Sequence, residues 1–322
     1  MSDAAFDGPT LSLRITARQE IAQDIVMFEL ARPDGADLPE FTAGAHVTLR
    51  VPNGLLRKYS LCNDPQERHR YVIAVKRETP GTGGSLSLTT DAKIGDAIEV
   101  GEPRNDFALA GNIQQFLFIA GGIGITPILS MMRHLKSSGA GRFKLIYLTR
   151  SRVLTAFHDE IKAEFPGQVT IHHDEGDPDR MFDLWPALEK PQGRHLYCCG
   201  PRPLMEAVRD MSGHWSSAAV HFEDFGATKP AHKADDKAFR VHLARSGQTF
   251  DIPANVSILD TLRAHGITVS SSCESGTCGS CRTKLLAGDA DHRDLVLTER
   301  EYATNIMICV SRAKTDELTL DL

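Results

Sequence analysis

Four cysteines carry the clearest chemistry in this sequence. They stand as Cys273-x4-Cys278-x2-Cys281, with Cys309 following after a further 27 residues. Three thiols in one tight loop and a fourth held apart is the spacing of a plant-type 2Fe-2S cluster, in which four thiolates grip two irons. The residues between the ligands are small (Ser271, Ser272, Ser275, Gly276, Gly279 and Ser280). Such a run lets the backbone wrap a cluster and aim N–H groups at sulfur, and its glycines permit positive φ. Cys278-x-x-Cys281 alone would also suit a redox pair or half a zinc site. Zinc modules, however, pair two short spacings.

A second group surrounds Arg57-Lys58-Tyr59-Ser60. A flavin needs a cation for its phosphate, an aromatic wall and a donor near its reactive N5. Arg57 offers a bidentate fork for phosphate, with Lys58 as a second cation. Tyr59 offers a face and Ser60 a hydroxyl. Taken alone, these four residues read as an ordinary strand. Further on, Gly81-Thr82-Gly83-Gly84-Ser85 opens a short helix at 86–90, where backbone N–H groups can receive one phosphate. A third group, Gly121-Gly122-Ile123-Gly124-Ile125-Thr126-Pro127, follows an apolar strand and enters a helix. Its glycines let a pyrophosphate approach the helix N-terminus, and Pro127 suits the first helical turn.

Three kinds of element must position these groups. Residues 12–103 read as short strands, including 46–51, 58–61 and 71–76, with a hairpin at Asn53-Gly54. That pattern predicts an antiparallel β-barrel or sandwich. Residues 114–210 alternate strand and helix, with strands at 116–120, 144–148, 169–172 and 195–198 and helices at 128–135, 156–165 and 203–210. Alternation of that kind predicts a parallel α/β sheet. A polar run at 226–236 reads as a linker. Beyond it come a hairpin (239–243 and 249–252), a helix at 256–265, the cysteine loop, a late helix near 299–303 and a strand at 306–310 that carries Cys309.

Composition narrows the class. The chain has 322 residues, 41% apolar and 24% charged, with a net charge of −6. There is no basic excess to hold nucleic acid. No apolar run reaches the roughly 18 residues that a membrane helix requires. The N-terminus shows no secretory pattern, so a cytoplasmic location is expected. Seven cysteines with four clustered fit metal ligation in a reducing compartment better than a disulfide framework. None of the 13 histidines is needed for the chemistry. His172-His173 reads as a strand end, and Lys76 with Arg77 reads equally as a solvated pair or as neighbours of a flavin phosphate.

The order of the groups resembles the ferredoxin-NADP-reductase-like flavin reductases that carry a C-terminal 2Fe-2S domain, and in particular the phthalate dioxygenase reductase family. The stretches RKYSLCND, YVIAVKR, AGGIGITP, YCCGP, SSCESGTCGSC and ADHRD carry the likeness. The resemblance implies a multidomain chain: an FMN-binding antiparallel β-barrel at 1–110, a NAD-binding α/β domain at 111–226, a linker at 227–237 and an α+β β-grasp ferredoxin domain at 238–322. It implies FMN, NADH and a 2Fe-2S cluster as cofactors, and a Rieske-type oxygenase as electron acceptor. It places Arg57, Tyr59, Ser60, Ala74, Val75, Lys76, Gly83, Gly84 and Ser85 at the flavin, where Lys58, a departure from the family's pattern, adds a second cation. It places Gly121, Gly122, Gly124, Thr126, Cys199, Gly200 and Pro201 at the nicotinamide nucleotide. Phe225 is implied as the aromatic that lies against the flavin ring, and Ser60, Cys199 and Phe225 as the groups nearest hydride transfer. The same hardware would serve a vanillate or other aryl-ether O-demethylase, or a carnitine-type oxygenase. A redox sensor would need an output module that the three domains leave no room for. Thr149-Arg150-Ser151-Arg152 departs from expectation, because arginines after the second α/β strand are of the kind that accommodates the 2′-phosphate of NADPH.

Overall fold

The computed structural model describes residue 6, residues 8–79, 83–225, 233 and 235–322. Gly81 and Thr82 of the first Gly-rich turn lie outside the described residues, as does most of the linker expected at 227–237. The chain forms two compact units, Met1–Met211 and Ser212–Leu322.

The first unit begins with six strands: β1 (Thr10–Ala22), β2 (Ile25–Ala31), β3 (His46–Arg50), β4 (Leu56–Ser60), β5 (Tyr71–Lys76) and β6 (Ala97–Gly101). They lie in the order β4-β3-β6-β1-β2-β5, and all the pairs are antiparallel. A bridge between Leu61 and Ile73 and the bond from Cys62 N to the Val72 carbonyl, 2.8 Å, join the two ends into a barrel. Alternate residues of each strand (Leu13 and Ile15, Val47 and Leu49, Ile73 and Val75) fill its interior. Helix α1 (Gly84–Asp91) packs on β4 and β5.

The second half of this unit has four parallel strands, β7 (Gln115–Gly121), β8 (Arg142–Thr149), β9 (Val169–His173) and β10 (His195–Cys199), in the order β10-β7-β8-β9. Helices α2 (Ile125–Ser138), α3 (His158–Glu164) and α4 (Trp185–Leu188) lie on the connections between them, and α5 (Arg202–Met211) follows β10. Strands buried on both faces read as continuous apolar runs, and Phe116-Leu117-Phe118-Ile119-Ala120 is such a run.

Barrel and sheet are fastened to one another by polar bonds on buried backbone. Ser130 Oγ on α2 donates to the Asn63 carbonyl at 2.8 Å, and Arg133 donates to the Cys62 carbonyl at 2.8 Å. The Asn63 amide oxygen accepts from Val72 N, and its nitrogen donates to the Arg70 carbonyl. The Leu61-Cys62-Asn63 part of the RKYSLCND run therefore builds the seam between the two layers.

The second unit holds a short strand, β11 (Val220–Glu223), and then β12 (Phe239–Leu243), β13 (Thr249–Ile252), α6 (Ile258–Ala264), β14 (Arg282–Ala287), β15 (Ala290–Asp291), α7 (Glu299–Tyr302), β16 (Asn305–Met307), β17 (Arg312–Ala313) and β18 (Glu317–Leu320). Its main sheet runs β13-β12-β18-β14-β16, with β12 and β18 parallel and the other neighbours antiparallel. Ser257 caps α6 by accepting from Asp260 N at 3.0 Å. The Thr298–Glu301 capping box starts α7. The expected strand at 306–310 ends at Met307, where Val310 N and Ser311 N both turn back to the Met307 carbonyl. Cys309 sits in that turn and not on the strand.

Candidate functional site

The cysteine loop has no regular structure, and two of its residues explain why. Gly276 and Gly279 adopt φ of 77° and 83°. At Gly276 a side chain would also meet Val310 Cγ2 at 2.7 Å and the Asp294 backbone at 3.1 Å. The wrap delivers backbone N–H groups to sulfur: Cys273 N to Cys278 Sγ at 3.4 Å, and Ser275 N and Thr277 N to Cys273 Sγ at 3.5 and 3.4 Å. Ser280 Oγ lies 3.1 Å from Cys278 Sγ.

The four thiols act on one another as two pairs, Cys273 with Cys278 and Cys281 with Cys309. Cys273 is pulled down to about 4, first by Cys278 and then by the loop donors, while Cys278 is pushed up by the same contact. Cys281 is lowered by Cys309, which rises in turn. Each pair behaves as two thiols sharing a proton. Among the described residues, no three His, Cys, Asp or Glu side chains converge on one ion position. Two thiolates per iron, arranged around two irons, is the donor set that this grouping fits.

The flavin-directed residues lie where β4, β5 and α1 meet. Strand alternation sets Arg57 and Tyr59 on one face of β4 and Lys58 and Ser60 on the other. The Arg57 side chain lies directly over Gly84, where a Cβ would stand 2.6 Å from Nε and 2.8 Å from Cγ. Gly83, left-handed at φ 83°, is the N-cap of α1. Arg57 also donates to the Leu56 carbonyl at 2.6 Å. Tyr59 packs against the barrel core, and burial raises its phenol to about 12. Its hydroxyl and the Ser60 hydroxyl are both buried without a hydrogen-bond partner. Two such orphans on adjacent residues are costly unless a bound group completes them, and a flavin's carbonyls and ring nitrogens are groups of that kind. Ser60 is paired across the sheet with His46, whose Nε2 is likewise unpartnered. Burial, with Lys58 nearby, lowers His46 to about 4, which keeps it neutral.

On β5 the residues separate by face. Val75 fills the barrel core, so only its backbone can face a ligand. Ala74 turns the other way, into the core shared with the α/β layer. Lys76 is exposed and pairs with Glu78 at 3.4 Å. Ser85 Oγ accepts from Glu78 N at 3.2 Å and so ties the start of α1 to the end of β5.

The nicotinamide-directed residues come from the C-terminal ends of two adjacent parallel strands, β7 and β10, the usual place for ligands in an open α/β sheet. Their turns press backbone on backbone. A Cβ on Gly124 would stand 2.2 Å from the Cys199 carbonyl oxygen, and one on Gly200 would stand 2.9 Å from Gly121 Cα and N. A Cβ on Gly121 would meet Pro201 Cδ at 2.6 Å. Gly122, at φ 54°, faces open space. Thr126 is buried and donates to the Ile123 carbonyl at 3.1 Å, which stiffens the turn. Cys199 is fully buried, as is Cys198, whose thiol burial pushes up. The turn at Gly122–Gly124 touches β5, so flavin-directed and nicotinamide-directed residues share one wall. Phe225, in the second unit, is 43% exposed.

Sequence reasoning missed Asn63, Ser130 and Arg133, which lock the two layers, and His46 beside Ser60. A lone polar residue on a strand or helix gives no sign of a long-range partner. Only the His46–Ser60 register, which requires knowing that β3 pairs with β4, brings that histidine forward.

Comparison with known proteins agrees with this geometry. Residues 12–108 match the oxidoreductase FAD-binding domain, and residues 241–314 match the 2Fe-2S iron-sulfur cluster binding domain. The phthalate 4,5-dioxygenase oxygenase reductase subunit of Pseudomonas putida is 57% identical over 100% of this chain and 99% of its own length. The phthalate dioxygenase reductase of Burkholderia cepacia is 56% identical over 97% of each. A solved structure of phthalate dioxygenase reductase, described as modular for electron transfer from pyridine nucleotides to [2Fe-2S], superposes with a TM-score of 0.69 at 54% identity. It covers 97% of this chain and 98% of that one. The multidomain architecture expected from the sequence, with FMN, NADH and a 2Fe-2S cluster as cofactors, is thereby established. No helix among the described residues is long and apolar enough to cross a membrane. With matches of this identity along its whole length, the chain belongs to the phthalate dioxygenase reductase family, the iron–sulfur flavoproteins that move electrons from NADH through a flavin and a 2Fe-2S cluster to an oxygenase.

Proposed function

We propose that this chain is the cytoplasmic reductase of a two-component, phthalate dioxygenase-like system whose acceptor is a Rieske-type oxygenase. The observation that carries the reading is the gathering of Cys273 with Cys278 and Cys281 with Cys309 in a loop whose N–H groups aim at sulfur. Each pair holds one iron. Arg57, lying over Gly84, receives the flavin phosphate together with the N–H groups at the start of α1. The orphaned Ser60 hydroxyl donates toward the reactive edge of the flavin, and neutral His46 stands behind it. The Gly-rich turns after β7 and β10 bind the nucleotide, with Cys199, Gly200 and Pro201 along the nicotinamide.

When bound, these cofactors supply hydride acceptance, the passage from two-electron to one-electron chemistry and a strongly reducing exit, about −400 mV for a cluster of this type. The chain's own work is positioning. The wall shared by β5 and the Gly122–Gly124 turn brings the two ring systems into reach. The apolar seam under it, which includes Ala74, Cys62 and Phe118, keeps water out.

The test is Cys281→Ser. It should abolish NADH-driven reduction of a purified Rieske oxygenase while ferricyanide reduction through the flavin stays within about twofold. Loss of both activities in a variant that keeps its flavin and its thermal midpoint would overturn the division of labour. Turnover with a Rieske partner separates that acceptor from other oxygenases.

A further inference from the structure

Every pair of electrons taken from NADH arrives with a proton. The donor gives up a hydride, whereas a cluster accepts single electrons only, so the proton carried in on the hydride must leave the flavin by another way. In a buried site that exit requires a side chain able to take it.

His46 and Ser60 are partners across β3 and β4. Leu61 N donates to the Ala45 carbonyl at 2.9 Å, which brackets them as a non-hydrogen-bonded pair. In such a pair the Cα atoms stand about 4.5 Å apart, and the two side chains are close neighbours on one face. Val47 and Leu49 fill the barrel, so His46 and Ser60 turn to its outer face. His46 is 6% exposed and Ser60 5%. Neither His46 Nε2 nor Ser60 Oγ has a hydrogen-bond partner. The strand itself does not use the imidazole. His46 is fastened through its backbone, its N donating to the Arg104 carbonyl at 2.8 Å and its carbonyl accepting from Arg104 N at 2.9 Å. An apolar side chain would fill the same place without leaving a nitrogen orphaned.

The surroundings keep this histidine free to accept. Burial, first, and Lys58 on β4 disfavour its charged form, Asp106 on the segment after β6 favours it, and Arg104 on the same segment disfavours it. Together they hold it at about 4. At pH 7 about one imidazole in a thousand is then protonated, so a proton that arrives is passed on and not stored. Asp106 is half-buried and Lys58 and Arg104 are exposed, so the charged groups around His46 reach water.

We propose that Ser60 and His46 form the proton outlet of the flavin site, with His46 a positioning residue that acts through Ser60. The inference rests on the place at the flavin's reactive edge given to Ser60 above. As the two electrons leave for the cluster, the bond between N5 and its hydrogen breaks and the proton passes to Ser60 Oγ. The hydroxyl's own proton moves to His46 Nε2, and the imidazolium releases it to water. A hydroxyl and a neutral imidazole can each donate and accept, so both groups return to their starting state.

Stopped-flow spectroscopy of the FMN-loaded chain separates the two halves of the cycle. His46→Gln should slow oxidation of the reduced flavin by ferricyanide about 100-fold, the lower end of what a proton-transferring side chain contributes, and slow reduction by NADH far less. Added imidazole should restore part of the oxidation rate in His46→Ala. Nitrogen-15 NMR of the unmodified full chain, with the His46 ring assigned through its backbone amide, reads the same group without turnover. Its protonation midpoint should rise by about one pH unit or more when bound FMN is reduced with dithionite, because added negative charge nearby favours the imidazolium. Equal slowing of both halves, no rescue by imidazole, or a midpoint indifferent to the redox state of the flavin overturns the proposal. Failure of the unmodified chain to bind FMN would instead overturn the flavin reading beneath it.

Discussion

Adding one methyl group at Gly84 separates flavin binding from folding. Gly84 is the first residue of α1, and its φ lies outside the left-handed region, so its backbone tolerates alanine. Alanine is favoured over glycine by up to ~1 kcal/mol in a helix interior, and by less at the first turn. The added Cβ would stand 2.6 Å from Arg57 Nε, 2.8 Å from Cγ and 3.1 Å from Cδ. These atoms run along the stem of the side chain, so Arg57 must leave its position entirely. A charge-assisted hydrogen bond to phosphate is worth about 1.5–3 kcal/mol, which corresponds to a roughly 10- to 150-fold loss of affinity. Gly84→Ala should therefore weaken FMN binding by that factor while the thermal midpoint of the flavin-free chain stays level or rises. Quenching of FMN fluorescence on titration into deflavinated protein measures the first quantity, and differential scanning calorimetry measures the second. Undiminished FMN affinity would show that Arg57 does not hold the phosphate. A fall in both quantities would show that the contact is structural.

Gly124→Ala drives a methyl into the Cys199 carbonyl, an overpacking cost of about 1–3 kcal/mol. It should lower kcat/KM for NADH at least tenfold while the flavin content, read from the visible spectrum, is retained. In the second unit, Asp236 is held at about 2, chiefly by its hydrogen bond from Arg293, against 3.8 for an ordinary aspartate. A lowered folded pKa means that the unfolded chain takes up the proton first. The contribution, about 2 kcal/mol, is complete above pH ~4 and disappears as pH falls toward 2. Far-UV circular dichroism of the cluster-free chain followed against temperature at pH 2 and pH 6 should show Asp236→Asn costing several degrees at pH 6 and a small fraction of that at pH 2. Equal losses at both pH values would remove this carboxylate from the acid response.

What the sequence made legible follows from how local each signal is. The cysteine loop is one short run, and glycine, serine and thiol spacing dictate its wrap, so its three thiols stand out together as candidate ligands. The fourth candidate, Cys309, is marked by the spacing pattern, but the sequence puts it on a strand and the structure puts it in a turn. An apolar run Ile306-Met307-Ile308 looks like one strand, but Val310 N and Ser311 N bend back to Met307 and end it. The Gly-rich turns were legible as anion sites, yet the reason for their glycines lies elsewhere. Gly121, Gly124 and Gly200 are required because β7 and β10 are neighbours whose turns collide, and that adjacency is a property of sheet order. The same holds for Leu61-Cys62-Asn63. As a motif it adjoins the flavin residues, and its main-chain carbonyls at Cys62 and Asn63 are what α2 grips through Arg133 and Ser130. Two residues of that motif thus fasten the two layers to one another. This is a long-range constraint, and it leaves no periodic trace in the sequence because each partner contributes a single residue.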